Sequence, residues 1–111
     1  MPEPGPGSGK PRVVILDAGV SGLSAALALL KRGHEVTVLE RGEMGGESSW
    51  AGGGILFPLL PWNYAEPVNA LALRSMQAYP GWIADIEARS GKSAEYWPCG
   101  MRIQGIDDAD D

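Results

Sequence analysis

An α/β fold is predicted, opening with a parallel βαβ unit. Three stretches carry the prediction: the apolar, β-branched "RVVIL" at 12–16, the alanine- and leucine-rich "VSGLSAALALLKRG" at 20–33, and "EVTVL" at 35–39. The first suits a strand buried on both faces, as in parallel sheets. The second has Leu23, Leu27 and Leu30 near helical spacing, basic residues in its last turn and Gly33 as a stop. The third is again a short β-branched run. Strand, glycine turn, helix and strand in succession read as βαβ, for which a right-handed crossover is expected.

Residues 1–11, "MPEPGPGSGKP", form a proline- and glycine-rich leader that is expected to be disordered. It lacks the basic start and apolar run of a secretory signal. Residues 41–64 hold six glycines and two prolines, which forbid a long regular element. So long a loop in a compact domain usually binds something or is disordered. Residues 65–90 read as helical, with Pro80 expected to kink the helix or split it in two. The stretch "GKSAEYWPCGMRIQG" reads as a short strand, a turn at Pro98–Gly100 and a second strand at 101–104. The main body is thus 12–104, with 105–111 an acidic tail.

Composition narrows the function. The chain has 111 residues, room for one small domain, and 44% of them are apolar. The formal net charge is -5 and no basic cluster exists, so nucleic acid is not an expected partner. The apolar run at 25–30 is too short to cross a bilayer, and a cytoplasmic protein is expected. Cys99 and His34 are the only residues of their kinds, which argues against a disulfide framework or a metal site. His34 is read as a solvated turn residue and Cys99 as an ordinary thiol.

The turn between the first strand and the helix carries the chemistry. A dinucleotide fingerprint runs Gly-x-Gly-x-x-Gly, with an acidic residue roughly 20 positions on. Here the six positions are Asp17-Ala18-Gly19-Val20-Ser21-Gly22, and the acid is Glu40, at the end of the second strand. Backbone N–H groups at a helix N-terminus grip a pyrophosphate. Gly19 lets the backbone approach it, Gly22 lets helix and strand pack closely, and a carboxylate at 40 accepts hydrogen bonds from ribose hydroxyls. Asp17 replaces the first glycine. Left-handed backbone angles there cost about 1–2 kcal/mol in a non-glycine residue. A unit-charge repulsion across about 6 Å, at an effective dielectric of about 20, is on the order of 3 kcal/mol.

Together with "GGESSWAGGGIL" at 45–56, the stretch "VVILDAGVSGLSAALALLKRGHEVTVLER" resembles the N-terminus of the FAD-dependent D-amino-acid oxidase superfamily, in its glycine oxidase branch linked to thiamine biosynthesis. The resemblance spans 12–104. It implies a Rossmann-like FAD-binding unit and FAD rather than NAD as cofactor. Val20 and Ser21 would then lie on the pyrophosphate, Glu40 and Arg41 by the adenosine ribose, Ser48 and Ser49 on the phosphate side, and Gly53, Gly54 and Ile55 beneath the isoalloxazine ring. It further implies hydride transfer from a small amine substrate to flavin, with O₂ reoxidation. Members of the family are several times longer, and their substrate-selecting residues come later in the chain. The chain is therefore expected to be an incomplete, inactive portion with an open sheet face. A homo-oligomer or a complementing chain is an expected partner, and the alternative reading is a non-catalytic degenerate fragment or a nucleotide-binding or interaction module that needs another chain.

Overall fold

The structure, a computed structural model, describes residues 9–57 and 61–102. It divides into two compact units, 1–55 and 56–111. Most of the leader, the end of the second expected strand and the acidic tail lie outside the described residues.

The first unit is the βαβ element. Strand β1 is Val13–Leu16, helix α1 is Val20–Lys31 and strand β2 is Val36–Leu39. The strands are parallel, in a register that runs from Val13 opposite Val36 to Leu16 opposite Leu39. Two further bonds bracket this ladder: the Val13 N–H donates to the Glu35 carbonyl at 2.9 Å, and the Asp17 N–H to the Leu39 carbonyl at 2.8 Å. Parallel strands cannot be joined by a tight hairpin, so α1 is the crossover that makes the pairing possible.

Both strands alternate in exposure residue by residue. Val13, Ile15, Val36 and Val38 are half-buried, while Val14 and Leu16 are 59% and 75% exposed. This corrects the expectation that β1 is buried on both faces. Within this unit helix α1 covers one face, and Val14, Leu16 and Leu39 on the other are exposed. The helix face also departs from expectation. Its buried residue is Ala26, with Gly22 and Leu29 on the same side at i-4 and i+3, whereas Leu23 and Leu30 are exposed. Small side chains let the helix axis approach the sheet, and of the leucine stripe only Leu27 is half-buried while Leu23 and Leu30 lie off the packing seam.

Helix α1 ends where Gly33 takes a left-handed φ of 83°. The Gly33 N–H donates to the Leu30 carbonyl and the His34 N–H to the Leu29 carbonyl, at 2.9 and 3.1 Å. This pair of bonds is the Schellman arrangement that satisfies the last carbonyls of a helix. His34 stands in that turn, half-buried, with Nδ1 3.0 Å from the Pro11 carbonyl. The Lys10 ammonium donates to the Arg32 carbonyl. Arg12 and Glu35 form a two-pronged ion pair at 2.6 and 2.9 Å. These contacts tie the entry to β1 to the far end of the crossover.

The expected loop at 41–64 contains two short helical turns, α2 at Ser48–Ala51 and a 3-10 turn at Pro61–Asn63. In the second unit, helix α3 runs Glu66–Ser90. Glu66 and Arg89 sit at its ends with the signs that the helix dipole favours. Asp85 and Arg89 pair at 3.0 Å one turn apart. Gly91 closes the helix at φ 68°. Pro80 lies inside this helix, which is not split in two there. Proline deletes one N–H and crowds the carbonyl four residues back, at a cost of about 3 kcal/mol, and the hydrogen-bonded turns on either side carry the helix through. Tyr79 next to it meets Tyr96 in a tilted ring pair, with centroids 5.7 Å apart and planes at 42°.

The expected strands after Gly91 are absent among residues 91–102. Glu95 and Gly100 instead take left-handed φ values of 53° and 71°, which break an extended run. Side chains organise the first part of this stretch: Glu87 accepts the Ala94 N–H at 2.8 Å, and Ser93 accepts the Glu95 N–H at 3.1 Å. A two-stranded ribbon on its own is marginal in water. Cys99 is an exposed free thiol. No helix among the described residues is long and apolar enough to cross a membrane.

Candidate functional site

The chemistry collects at the carboxyl ends of β1 and β2. Asp17 leaves β1 with φ 96°, a left-handed value in a non-glycine residue. That turn aims the chain so that Ala18 is fully buried and Gly19 caps α1 in an extended conformation. Helix α1 then returns close against the turn. A Cβ on Gly22 would lie 2.1 Å from the Asp17 carbonyl oxygen and 3.3 Å from Ile15 Cγ2, so only glycine permits this approach. The third fingerprint glycine is thus explained by packing.

Glu40 follows β2 and reaches back to the turn. One carboxylate oxygen accepts the Ala18 N–H at 2.8 Å and the other the Gly42 N–H at 3.0 Å. The bond from Ala18, then that from Gly42, holds the carboxyl below its ordinary range; partial burial opposes this, and the Asp17 side chain and Arg41 backbone add smaller contributions in the same direction. A carboxyl whose folded pKa is depressed stabilises the fold above its ordinary value, and that contribution is lost as pH falls. The Glu40 clasp is therefore expected to contribute above pH 4.5, the ordinary value, and to fade below it. Urea midpoints at neutral and acidic pH should differ less in Glu40→Gln than in the parent. An identical pH dependence would show that the clasp carries no linkage.

The segment after β2 folds over the N-terminus of α1. The Gly45 N–H donates to the Ala18 carbonyl at 2.9 Å, with Gly45 at φ 69°. Ser49, on α2, accepts the Val20 N–H through its hydroxyl at 2.9 Å. Asp17, Gly19, Glu40, Gly45, Gly46, Glu47, Ser48 and Ser49 line an open cleft here.

Of the residues expected from sequence, Gly19, Val20, Gly22, Glu40, Ser48 and Ser49 meet at this turn, and Ser21 stands exposed in the first turn of α1. Arg41 does not itself line the cleft but pairs at 2.5 Å with Glu47, which does. Gly53, Gly54 and Ile55 follow α2 as exposed chain, with Ile55 78% exposed, and are not gathered into it. Gly45, Gly46 and Glu47 line the cleft without having been singled out. Their signal was the glycine pair between Met44 and Glu47, which permits a reversal over the helix end.

The donor set fits a ribose and a phosphate except at one place. Glu40 offers a carboxylate beside helix N–H groups and two serine hydroxyls. Of the three carboxylates in the cleft, Glu40 is held by N–H groups and Glu47 by Arg41. Asp17 is in no ion pair among the described residues.

Comparison with known proteins adds an independent line. The family model described as FAD dependent oxidoreductase (DAO) matches residues 12–110. The glycine oxidase of Pseudomonas aeruginosa is 44% identical over 97 residues, which are 87% of this chain and 27% of that protein. The bifunctional protein ThiO/ThiG of Trichormus variabilis is 37% identical over 89 residues, 80% of this chain and 14% of that protein. A D-amino acid dehydrogenase of Paramagnetospirillum magneticum is 47% identical over 57 residues, 50% of this chain and 13% of that protein. The chain spans about a quarter of the length of the glycine oxidases it matches. No solved structure matches it.

Proposed function

The chain belongs to the FAD dependent oxidoreductase family, whose cofactor is FAD, and on that premise we propose that its βαβ unit holds the ADP half of FAD in a flavoenzyme acting on an amino acid or a similar small amine. The observation that carries this reading is the meeting of Glu40 and Ser49 on either side of the α1 N-terminus, against a turn that only Gly22 allows. Ligands in open α/β sheets bind outside the carboxyl ends of the strands.

In this reading Glu40 accepts hydrogen bonds from the ribose hydroxyls. The N–H groups of Val20 and Ser21 and the hydroxyls of Ser48 and Ser49 hold the diphosphate, which requires Ser49 to release Val20. Gly53, Gly54 and Ile55 are free to approach the ring, because two of the three carry no side chain. Bound there, FAD would supply a hydride acceptor for amine oxidation, with O₂ as the later oxidant. The relatives named glycine oxidase and D-amino acid dehydrogenase support an amino-acid substrate.

FAD should be titrated into the purified chain and into a chimera in which it replaces the matching part of a full-length relative. Flavin fluorescence quenching in the folded chimera is the expected result. A folded chimera that leaves flavin fluorescence unchanged would overturn the reading. The carboxylate of Asp17, in no ion pair among the described residues and placed to weaken diphosphate binding, favours a second reading, a degenerate, non-catalytic nucleotide-binding module. FAD binding without peroxide release from glycine or D-alanine would support it.

A further inference from the structure

The sequence leaves two effects of Asp17 entangled, the strain of its backbone and the charge of its side chain. The structure separates them. Asp17 holds φ 96° where the chain leaves β1 for α1. Its N–H is fixed to the Leu39 carbonyl at 2.8 Å, and its own carbonyl is the atom against which Gly22 packs. The conformation is thus built into the βαβ unit, and its strain is the same before and after a ligand arrives. A cost that is present in both states cancels from the binding equilibrium.

The carboxylate does not cancel. Asp17 Oδ2 lies 3.1 Å from where a Gly19 Cβ would sit, beside the cap of α1, and Asp17 lines the same cleft as Ser48 and Ser49. This is where helix N–H groups and the positive end of the helix dipole are directed. Its acidic neighbours are engaged, Glu40 by Ala18 and Gly42 and, more weakly, by the Asp17 side chain itself, and Glu47 by Arg41. Asp17 therefore meets an incoming anion with its charge uncompensated by any ion pair among the described residues.

Resting on the nucleotide reading above, we infer that Asp17 sets the affinity of this site for diphosphate ligands through its charge alone, and that its backbone strain affects folding but not binding. Asn tolerates left-handed angles about as well as Asp does. Asp17→Asn thus removes the charge and keeps the strain, while Asp17→Gly removes both.

ADP is the probe, because it carries the ribose and diphosphate without the flavin. It would be titrated into the 111-residue chain and into the chimera, each as parent, D17N and D17G, following the backbone amide resonances of 19–22. At low salt both variants should bind ADP about ten- to a hundredfold more tightly than the parent, and within about twofold of each other. The advantage should shrink as salt rises from about 0.05 to about 0.5 M, because screening reaches an open cleft. In urea, D17G should unfold at a higher midpoint than D17N.

A D17N affinity equal to the parent's, with D17G alone tighter, would overturn the inference in favour of strain. A D17G urea midpoint no higher than that of D17N would overturn its folding half. If no variant shows amide shifts at 19–22 in either protein, the nucleotide reading falls and the inference falls with it.

Discussion

Replacing Gly22 with alanine is expected to lower the stability of the βαβ unit by about 1–3 kcal/mol, although alanine is the better helix former. In an unobstructed helix the same exchange would gain about 1 kcal/mol. At Gly22 the added methyl would lie 2.1 Å from a backbone oxygen, that of Asp17, which cannot swing aside as the end of a side chain would. Either α1 moves off β1, loosening the packing around Ala26, or the Asp17 turn opens and frees the Ala18 N–H from Glu40. Both routes damage the end of the unit where the cleft lies. Gly81 in α3 is the internal control, since a Cβ there meets nothing within 4 Å. Gly81→Ala should be neutral or stabilising in the same urea titration. A Gly22→Ala midpoint at or above the parent's would show that helix and turn are not in the close contact described.

The βαβ unit was legible because each signal there is local and the parts agree: β-branched runs, a helix-forming stretch, and a glycine where the helix must stop. Gly22 and Glu40 were legible for a different reason, since the fingerprint encodes a close approach and a strand end at fixed spacing. The failures have a common cause. A run such as "RVVIL" states that a strand prefers burial, but not whether both of its faces find a cover, and Val14 and Leu16 do not. The leucine spacing in α1 likewise identified a helix but not its contact face, which close approach assigns to Ala26 and Gly22. Pro80 did not split the helix, because the hydrogen-bonded turns of a long helix on either side outweigh the roughly 3 kcal/mol that an internal proline costs. The turn at 45–49 depends on which backbone groups α1 leaves open, so its role emerges only after the helix is placed. Gly53, Gly54 and Ile55 were assigned to the flavin ring from resemblance alone, and they lie outside the cleft at the α1 N-terminus, which the resemblance gives to pyrophosphate and ribose.

Glu40→Ala should weaken ADP binding to the βαβ unit by roughly tenfold to a hundredfold, the range expected for lost hydrogen bonds to a charged group. Loss of affinity alone would not establish contact with the ribose. Glu40 also clasps the Ala18 and Gly42 N–H groups, so its removal loosens the turn that presents the helix end. Ligand discrimination separates the two roles. A carboxylate beside the ribose accepts its hydroxyls and repels a phosphate at the 2′ position. The parent should therefore prefer ADP over its 2′-phosphorylated form, and Glu40→Ala should erase most of that preference while lowering affinity for both. A turn that is merely loosened would weaken both ligands by the same factor and leave their ratio intact. Glu40→Gln, which keeps an acceptor and loses the charge, should fall between the parent and the alanine variant in both measurements. An unchanged ratio in Glu40→Ala would confine Glu40 to holding the turn and would require another group to hold the ribose.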